Sequence, residues 1–315
     1  MSGSDPARYT LDTGGPLAVT ISERGAALVD MRWRRNGDDT LGNLVLDPDH
    51  SEYDRETDEA RVGVIVGRVC GRIRDARYVS ASGATVELTA NADRHHLHGG
   101  GAGALGRCIW SVAEYQPHLG RVRLTCQSPH GSEGYPGNLS AEAIYQVEGS
   151  ALTLQLSAVS DRASPINLTA HPYFNLAGST GPAARAQMLQ INARSIYEID
   201  GDLVPTGRVA AFDYWTTQRP VSDRQLDTVF ALPPRARWAA RLVSPQTQLA
   251  LQVETDQPAL VAYDGAHLPA CFRSAGGGVC LEPQGRPLAA KENGPEQPAG
   301  LRWSSQITYQ LSDVI

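Results

Sequence analysis

The residues with the clearest chemical potential lie between positions 164 and 178, where polar and apolar side chains alternate. Asn167, Thr169, His171 and Tyr173 would share one face of an extended segment, because side chains two residues apart along a strand point the same way. An amide, an imidazole and a phenol would then be presented together at the edge of a buried strand. A hydrogen-bonded polar sheet edge without chemical function is an equally good interpretation of this segment alone.

A second group of imidazoles occurs at positions 94–100, which read Arg-His-His-Leu-His-Gly-Gly. On an extended backbone His96 and His98 share a face, so a metal site has to be considered. With a carboxylate from elsewhere, the two rings would form a facial triad of the kind found in cupin-like β-barrels. The glycines that follow at once argue against this site. We therefore expect no metal, and stoichiometric metal in the purified protein would favour the alternative of a metal-dependent β-barrel enzyme.

The elements that must position these side chains are short apolar or alternating runs separated by Gly/Pro turns, with hardly any helical periodicity. This pattern predicts an all-β sandwich or barrel with few or no long helices. The predicted strands lie at 17–21, 26–33, 62–73, 84–88, 122–127, 139–147, 152–159, 188–191, 195–199, 249–253, 259–263, 278–281 and 306–311. We expect a turn at 204–207 and a long surface excursion at 38–59.

Composition excludes several classes of protein. With 41% hydrophobic and 20% charged residues, the chain can bury a full core, and we expect one domain over 1–315. The net charge of −6 argues against a nucleic-acid partner. The five cysteines form no C-x-x-C pair, so neither a disulfide framework nor a zinc site is expected. No signal peptide or membrane span is recognisable, which makes a cytoplasmic monomer or homodimer without a membrane partner the expectation.

Taken together, several short motifs resemble those of the aldose 1-epimerase (galactose mutarotase) family. They occur in the family's order from about residue 15 to the end of the chain. The motifs lie at 67–73, 96–100, 128–137, 167–178, 205–207, 226–227 and 279–284. The resemblance implies a large antiparallel β-sandwich whose concave face holds a monosaccharide, with no metal and no cofactor.

The resemblance also implies roles for individual residues. Members of this family open and reclose the ring of an aldose at its anomeric carbon. Glu282 matches the family's general base, His171 its general acid, and His98 a histidine that positions or polarises the ring oxygen. A Glu/His pair suits a reaction in which one group takes a proton while another gives one, and partial burial should raise the pKa of Glu282 towards the working pH.

The residues expected to bind the sugar come from the same motifs. Arg72 and Asp227 match residues that hold sugar hydroxyls, which suits side chains that make paired hydrogen bonds. His96 and Gln284 are further predicted contacts. Tyr173 could cover an apolar face of the sugar, although an ordinary core position is an equally good interpretation.

Several neighbours of these residues depart from the family's pattern. Gly71 stands where an Asn is common, Ala170 replaces the Asn before His171, and Thr228 replaces a His. Val261 stands where a substrate-contacting Gln is common, and residues 287–288 read Pro-Leu in place of Pro-Asp. Lost hydrogen-bond partners change sugar discrimination. We therefore hypothesise an aldose other than ordinary galactose.

Two further alternatives stay open. The scaffold could serve another acid–base isomerisation or a cyclisation in a specialised pathway, and the altered pocket residues support this. The chain could instead be a non-catalytic carbohydrate-binding or regulatory protein. Such a protein would have no need for an acid–base set like Glu282, His171 and His98, which argues against that alternative.

Overall fold

The computed structural model describes residues 6–35, 40–48, 53, 60–178, 183–288 and 296–314, and nearly all regular structure in these ranges is β. The strands are β1 (Arg8–Asp12), β2 (Leu17–Ser22), β3 (Ala27–Arg34), β4 (Thr40–Leu41), β5 (Ile65–Val66), β6 (Arg72–Ile73), β7 (Arg77–Val79), β8 (Thr85–Glu87), β9 (His96–Leu97), β10 (Ser111–Gln116), β11 (Arg121–Ser128), β12 (Leu139–Glu148), β13 (Ala151–Ser160), β14 (Ser164–Pro165), β15 (Thr169–Ala170), β16 (Tyr173–Phe174), β17 (Met188–Ile191), β18 (Ser195–Ile199), β19 (Pro205–Ala211), β20 (Arg219–Pro220), β21 (Asp227–Ala231), β22 (Ala240–Ser244), β23 (Leu249–Thr255), β24 (Ala259–Tyr263), β25 (Val279–Gln284), β26 (Glu296–Gln297) and β27 (Trp303–Asp313). The α-helix found in these ranges is α1 (Ala270–Ser274). Single 3-10 turns occupy Arg74–Ala76, Leu105–Arg107, Pro117–Leu119, Ser132–Gly134, Ala184–Ala186, Tyr214–Thr216 and Val221–Asp223.

Two large antiparallel sheets dominate the fold. The first has nine strands in the order β10-β11-β12-β13-β27-β23-β22-β17-β20, and the second has six in the order β16-β25-β24-β21-β18-β19. A four-stranded sheet, β1-β2-β3-β4, and several two-stranded pairs complete the described structure. The predicted all-β class and the large antiparallel sandwich are confirmed. No helix in the described ranges is long and apolar enough to cross a membrane.

The core follows from the period-two pattern of the longest strands. In β12 the alternate residues Leu139, Tyr145 and Val147 are fully buried while the intervening side chains are more exposed, and β13 repeats this pattern. The tight connection at Gly149 (φ 59°), which joins the two strands, needs the left-handed conformation that glycine adopts readily. Inward side chains of both large sheets meet in one continuous apolar cluster.

The segment at 164–178 is not the single strand expected from its pattern. It is divided into β14, β15 and β16, which belong to three different sheets. Pro165 and Pro172 lack the N–H that a continuous ladder requires, so each interrupts the pairing.

The alternation of polar side chains nevertheless survives the interruptions. Oδ1 of Asn167 accepts a hydrogen bond from the N–H of Gly285 at 2.8 Å, and the hydroxyl of Thr169 donates to the carbonyl of Pro283 at 2.7 Å. Further along, Tyr173 lies opposite Cys280 in the β16–β25 pair. The predicted polar face therefore lies against β25 and the residues that follow it.

Three other expectations need correction. Within the predicted strand 62–73, only β5 and β6 form ladders with other strands. The prediction that this segment is buried is correct for residues 62–70. The predicted turn 204–207 is the start of β19, and the chain reverses at 200–203, where Leu203 has φ 59°. Most of the excursion 38–59 lies outside the described residues. Its described part is not wholly on the surface, because Leu44 and Val45 belong to the main core.

Candidate active site

An imidazole and a carboxyl group face each other beneath a cavity of the six-stranded sheet. His171 lies in the two-residue link between β15 and β16, and Glu282 is the fourth residue of β25. Nε2 of His171 lies 3.2 Å from Oε1 of Glu282. The two residues are only 4% and 2% exposed, so little water can screen their interaction.

The second carboxyl oxygen of Glu282 has no hydrogen-bond partner among the described residues, although it is buried. Buried polar atoms are almost always hydrogen-bonded, so an orphaned one at a cavity wall marks a position from which a ligand can be bound. The adjoining cavity has a volume of about 330 Å³, within the range of small-molecule sites. Glu282 is therefore placed to accept a proton or a hydrogen bond from a ligand.

Burial moves the pKa values of the two groups in opposite directions. Desolvation, followed by the negative charge of Asp227, raises the pKa of Glu282 to about 8. Desolvation lowers the pKa of His171 to about 3. The imidazole is therefore neutral at pH 7, while the carboxyl group exchanges its proton close to neutral pH.

Cys280, which the sequence interpretation did not single out, contacts this imidazole. Its Sγ lies 3.3 Å from Nδ1 of His171. Burial, followed by the charge of Glu282, raises the pKa of the Cys280 thiol well above its usual range, so the group stays protonated and can donate. When the thiol donates to Nδ1, the ring proton is on Nε2, the nitrogen that faces Glu282. Cys280 lies two residues before Glu282 on the same strand, a spacing that indicates that both share one strand face.

A second imidazole lies edge-on to the first. The ring centroids of His98 and His171 are 5.4 Å apart at an interplanar angle of 89°. Nδ1 of His98 accepts a hydrogen bond from the N–H of Gly71 at 3.3 Å. Burial, followed by the charge of His171, holds the pKa of His98 well below its usual value. His98 is thus neutral, and its Nε2 carries the proton.

The walls of the cavity bring together seven of the eight side chains predicted for catalysis or binding. They are Arg72, His98, His171, Tyr173, Asp227, Glu282 and Gln284. Burial raises the pKa of Asp227, and the nearby positive charge of Arg72 opposes that rise. The amide oxygen of Gln284 accepts a hydrogen bond from the Cys70 thiol at 2.8 Å. The hydroxyl of Tyr173 donates to the carbonyl of Ala60 at 3.0 Å.

His96 is the eighth predicted residue, and it does not line this cavity. Its Nδ1 lies 2.7 Å from the carbonyl oxygen of Thr89, and its Nε2 lies 2.7 Å from the hydroxyl of Tyr135. Both ring nitrogens are therefore used inside the protein. The expected common face of His96 and His98 is wrong, because His98 adopts a left-handed backbone (φ 52°) that turns its side chain away from the strand direction.

The pair of histidines therefore does not provide the metal site considered from the sequence. Among the described residues, His171, Cys280 and Glu282 have potential ligand atoms within 4.8 Å of one another. The thiol faces Nδ1 of the ring, whereas the carboxyl group faces Nε2. The thiol and the carboxyl group therefore approach different nitrogens of the ring and do not converge on one ring lone pair, as the ligands of a single ion would. The arrangement suits proton transfer better than metal ligation.

Comparison with known proteins places this chain in a family. The family model described as aldose 1-epimerase matches residues 7–310. The chain belongs to the aldose 1-epimerase family. It is therefore an isomerase of the class that interconverts sugar anomers, as its motifs indicated.

Individual relatives agree with this membership. Galactose mutarotases of Mus musculus and Homo sapiens are each 31% identical to this chain, over 262 and 253 residues. The alignments cover 76% and 73% of this chain and 74% and 72% of those proteins. The solved galactose 1-epimerase of Lactobacillus acidophilus has a TM-score of 0.83 at 26% identity and covers 97% of this chain and 94% of its own. A GalM/aldose epimerase homologue from C. elegans has a TM-score of 0.87 at 22% identity, covering 98% and 100%, and supports the fold.

Apolar side chains form much of the remaining wall of the cavity. Ile199, Leu203, Val229, Val261 and Pro287 all line it. Val261 lies directly opposite Glu282 in the β24–β25 pair, so it stands beside the carboxyl group on the same face of the sheet. A ligand over Glu282 therefore meets fewer hydrogen-bonding groups on this side than on the side of Arg72 and Asp227.

Proposed function

We propose that the chain interconverts the α and β anomers of an aldose without a cofactor, with Glu282 as general base and His171 as general acid. The observation that carries the proposal is the buried contact of 3.2 Å between Nε2 of His171 and Oε1 of Glu282 at the wall of the cavity. The reaction moves protons between two oxygens on one carbon and changes no oxidation state. One group that accepts a proton and a neighbouring group that donates one are sufficient for this reaction.

The proposed steps follow from the state of each group. In its ionised form Glu282 removes the proton from the anomeric hydroxyl. As the bond between the ring oxygen and the anomeric carbon breaks, His171 gives its Nε2 proton to the ring oxygen and takes the proton from Glu282 across their 3.2 Å contact, so the imidazole stays neutral. The open aldehyde rotates about its first carbon–carbon bond. On reclosure the two proton transfers run in reverse, so both groups return to their starting states. The Cys280 thiol keeps the transferable proton on Nε2 throughout.

The surrounding side chains hold the sugar in this proposal. With its proton on Nε2, His98 donates a hydrogen bond to the ring oxygen and so assists His171. Arg72 and Asp227 bind hydroxyls at the far side of the ring, and Gln284 offers its amide N–H groups because its oxygen is already bonded to Cys70. Tyr173 packs 5.0 Å from the ring centroid of His171 and supports that imidazole as well as the cavity wall.

We further propose that the preferred aldose is not ordinary galactose. A sugar hydroxyl placed against Val261 or Val229 would lose its water without gaining a partner, at a cost of roughly 1–3 kcal/mol. A sugar that lacks or masks a hydroxyl at that position avoids this cost. The apolar wall is thus the feature that supports a pentose, a deoxy sugar or another modified aldose.

Proton NMR exchange spectroscopy on a panel of aldoses tests both parts of the proposal. Acceleration of anomer exchange above the spontaneous rate, absent in Glu282→Gln, is the expected result. Turnover of galactose as efficient as that of the best sugar would contradict the substrate proposal. Acceleration that survives in Glu282→Gln would contradict the role of the base.

A further inference from the structure

The sheet face that carries Glu282 does not end at the catalytic cavity. Across this face Glu282 pairs with Val261, and Val261 pairs with Val229. The next strand, β18, carries Tyr197 opposite Val209 of β19. Directly paired residues of antiparallel strands point to the same side of a sheet, so a continuous surface runs from the base outwards to β19.

Beyond the cavity this surface opens into a second hollow of about 580 Å³. Its walls include Tyr197, Val209, Arg235, Gln257 and Arg286. Pro287 lines both this hollow and the catalytic cavity, so the two spaces adjoin at this residue. A molecule long enough to cross Pro287 would contact both spaces.

The chemistry of the hollow differs from that of the cavity. Arg235 and Arg286 are both exposed, and neither forms an ion pair or side-chain hydrogen bond with another residue in the part of the chain that the structure describes. Asp256, an acidic side chain of the hollow, accepts hydrogen bonds from the N–H of Gln306 and the amide of Gln257. With two guanidinium groups and one carboxylate that is already hydrogen-bonded, the hollow has a net positive charge, in a chain whose net charge is −6. Unpaired guanidinium groups favour a planar anion such as a carboxylate.

The hollow also presents apolar surface suited to a ring. Val209 is 53% exposed, which is unusual for a large apolar side chain, and the ring of Tyr197 lies across from it in the β18–β19 pair. Exposed apolar area next to hydrogen-bonding groups is the combination that sugar rings bind, since their C–H faces are apolar and their edges polar.

We propose that the hollow binds the second residue of an acidic reducing disaccharide while its reducing sugar occupies the catalytic cavity. This inference rests on the proposed function, because it places a free anomeric carbon at Glu282 and His171. The two residues must then be joined through a hydroxyl other than the anomeric one. The ring of the second residue lies against Tyr197 and Val209, and its carboxylate pairs with Arg235 and Arg286.

The test compares anomer exchange of three kinds of substrate by proton NMR. They are the aldose that the protein turns over best, neutral disaccharides that carry this aldose at the reducing end, and the corresponding uronic acid disaccharides with 3-, 4- and 6-linkages. We expect at least one acidic disaccharide to have a higher kcat/KM than its neutral counterpart and the free aldose. The advantage should shrink as salt rises, because exposed charges are screened.

Variants show whether the hollow is responsible. Arg235→Ala and Arg286→Ala, combined, should remove the advantage of the acidic disaccharide, by roughly fivefold to tenfold. Their kcat/KM for the free aldose should stay unchanged. The matched control is Arg237→Ala, because Arg237 is an exposed arginine of the same turn that does not line the hollow.

The outcomes separate this inference from the proposed function. Normal turnover of the free aldose, with acidic disaccharides no better than neutral ones, would overturn the inference alone. Equal losses in Arg237→Ala and in the double variant would also overturn it, since the effect would then be unspecific. Absence of exchange above background on every sugar would count against the proposed function itself.

Discussion

Nε2 of His171 and Oε1 of Glu282 lie 3.2 Å apart in a setting where both side chains are almost fully buried. Burial favours the neutral form of each, which makes the ionised carboxyl group a stronger base and keeps the imidazole neutral at pH 7. On the other side of the ring Cys280 contacts Nδ1 of His171, and the second oxygen of Glu282 has no hydrogen-bond partner among the described residues.

The activity should depend on the ionisation of Glu282. Since burial raises the pKa of this carboxyl group to about 8, only a minor fraction is ionised at pH 7. We expect kcat/KM to rise about tenfold per pH unit well below this pKa and to level off above it. The measurement is a profile of kcat/KM between pH 5.5 and pH 9.5, corrected for the buffer-catalysed rate. A profile that is flat through pH 8, or that falls as pH rises, would contradict the account.

The same shift should appear in the stability of the protein. The pKa of Glu282 rises from its usual value near 4.5 to about 8 on folding, so the folded state holds the proton more tightly. Its contribution to stability is fully present below about pH 4.5 and is lost as pH rises through 8. Removing the titration with Glu282→Gln should therefore make the variant more stable relative to wild type at pH 9 than at pH 5, on the order of a few kcal/mol.

Thermal or urea unfolding at the two pH values measures this difference. Gln284→Glu would not serve as a control, because it adds a charge. The control is Glu142→Gln, which removes a carboxylate that pairs with Arg123 on the surface. The surface variant should show no such gain at high pH. An equal pH dependence in wild type and Glu282→Gln would contradict the raised pKa.

Cys280 should act by positioning His171. In Cys280→Ala the Nδ1 atom loses its donor, and the ring proton can move to Nδ1, away from Glu282. We expect kcat to fall by roughly twofold to tenfold with little change in KM, the range of one hydrogen bond. Cys280→Ser retains a donor and should recover part of kcat. The closest control is Cys271→Ala, since that thiol lies in α1 and does not contact the pair. A loss in KM alone would indicate a different role.

Val261 should control which sugar is accepted. It lies beside Glu282 and lines the cavity, so Val261→Gln would place an amide where sugar hydroxyls now meet a hydrocarbon surface. We expect kcat/KM for galactose to rise relative to that of the best wild-type substrate, roughly tenfold for one restored hydrogen bond in a site of this kind. Val253→Gln is unsuitable as a control, because Val253 is buried in the core. The control is Thr228→Gln, which introduces the same side chain at a half-buried residue of β21 next to Asp227. Unchanged relative rates in Val261→Gln would show that this wall does not set specificity.

Much of the architecture could be predicted because the long strands follow simple patterns. The hairpin of β12 and β13 was predicted within one residue, since a period-two pattern and a glycine turn together leave few alternatives. The region 164–178 was harder. Its side-chain alternation was correct, but Pro165 and Pro172 divide the backbone among three sheets, and alternation alone carries no information about pairing partners.

The site likewise contains residues whose placement could be predicted from the sequence and residues whose placement could not. Glu282 and His171 could be predicted to act together from motif resemblance, and they do lie together. The separation of His96 from His98 could not be predicted, because the left-handed backbone at His98 turns the His98 side chain off the strand face that the two would otherwise share. The spacing of Cys280 and Glu282 indicates that both share one strand face, but it does not indicate that the thiol contacts His171, which lies 109 residues away in the chain. Such contacts are set by the packing of the sheets rather than by local sequence.

Anomer exchange measured by proton NMR across a panel of aldoses, for wild type and Glu282→Gln side by side, tests the central claim most directly. The account predicts that wild type accelerates exchange for at least one aldose and that Glu282→Gln loses this acceleration by roughly 100-fold to 10,000-fold while it stays folded. Exchange by Glu282→Gln at a rate close to that of wild type would contradict the account.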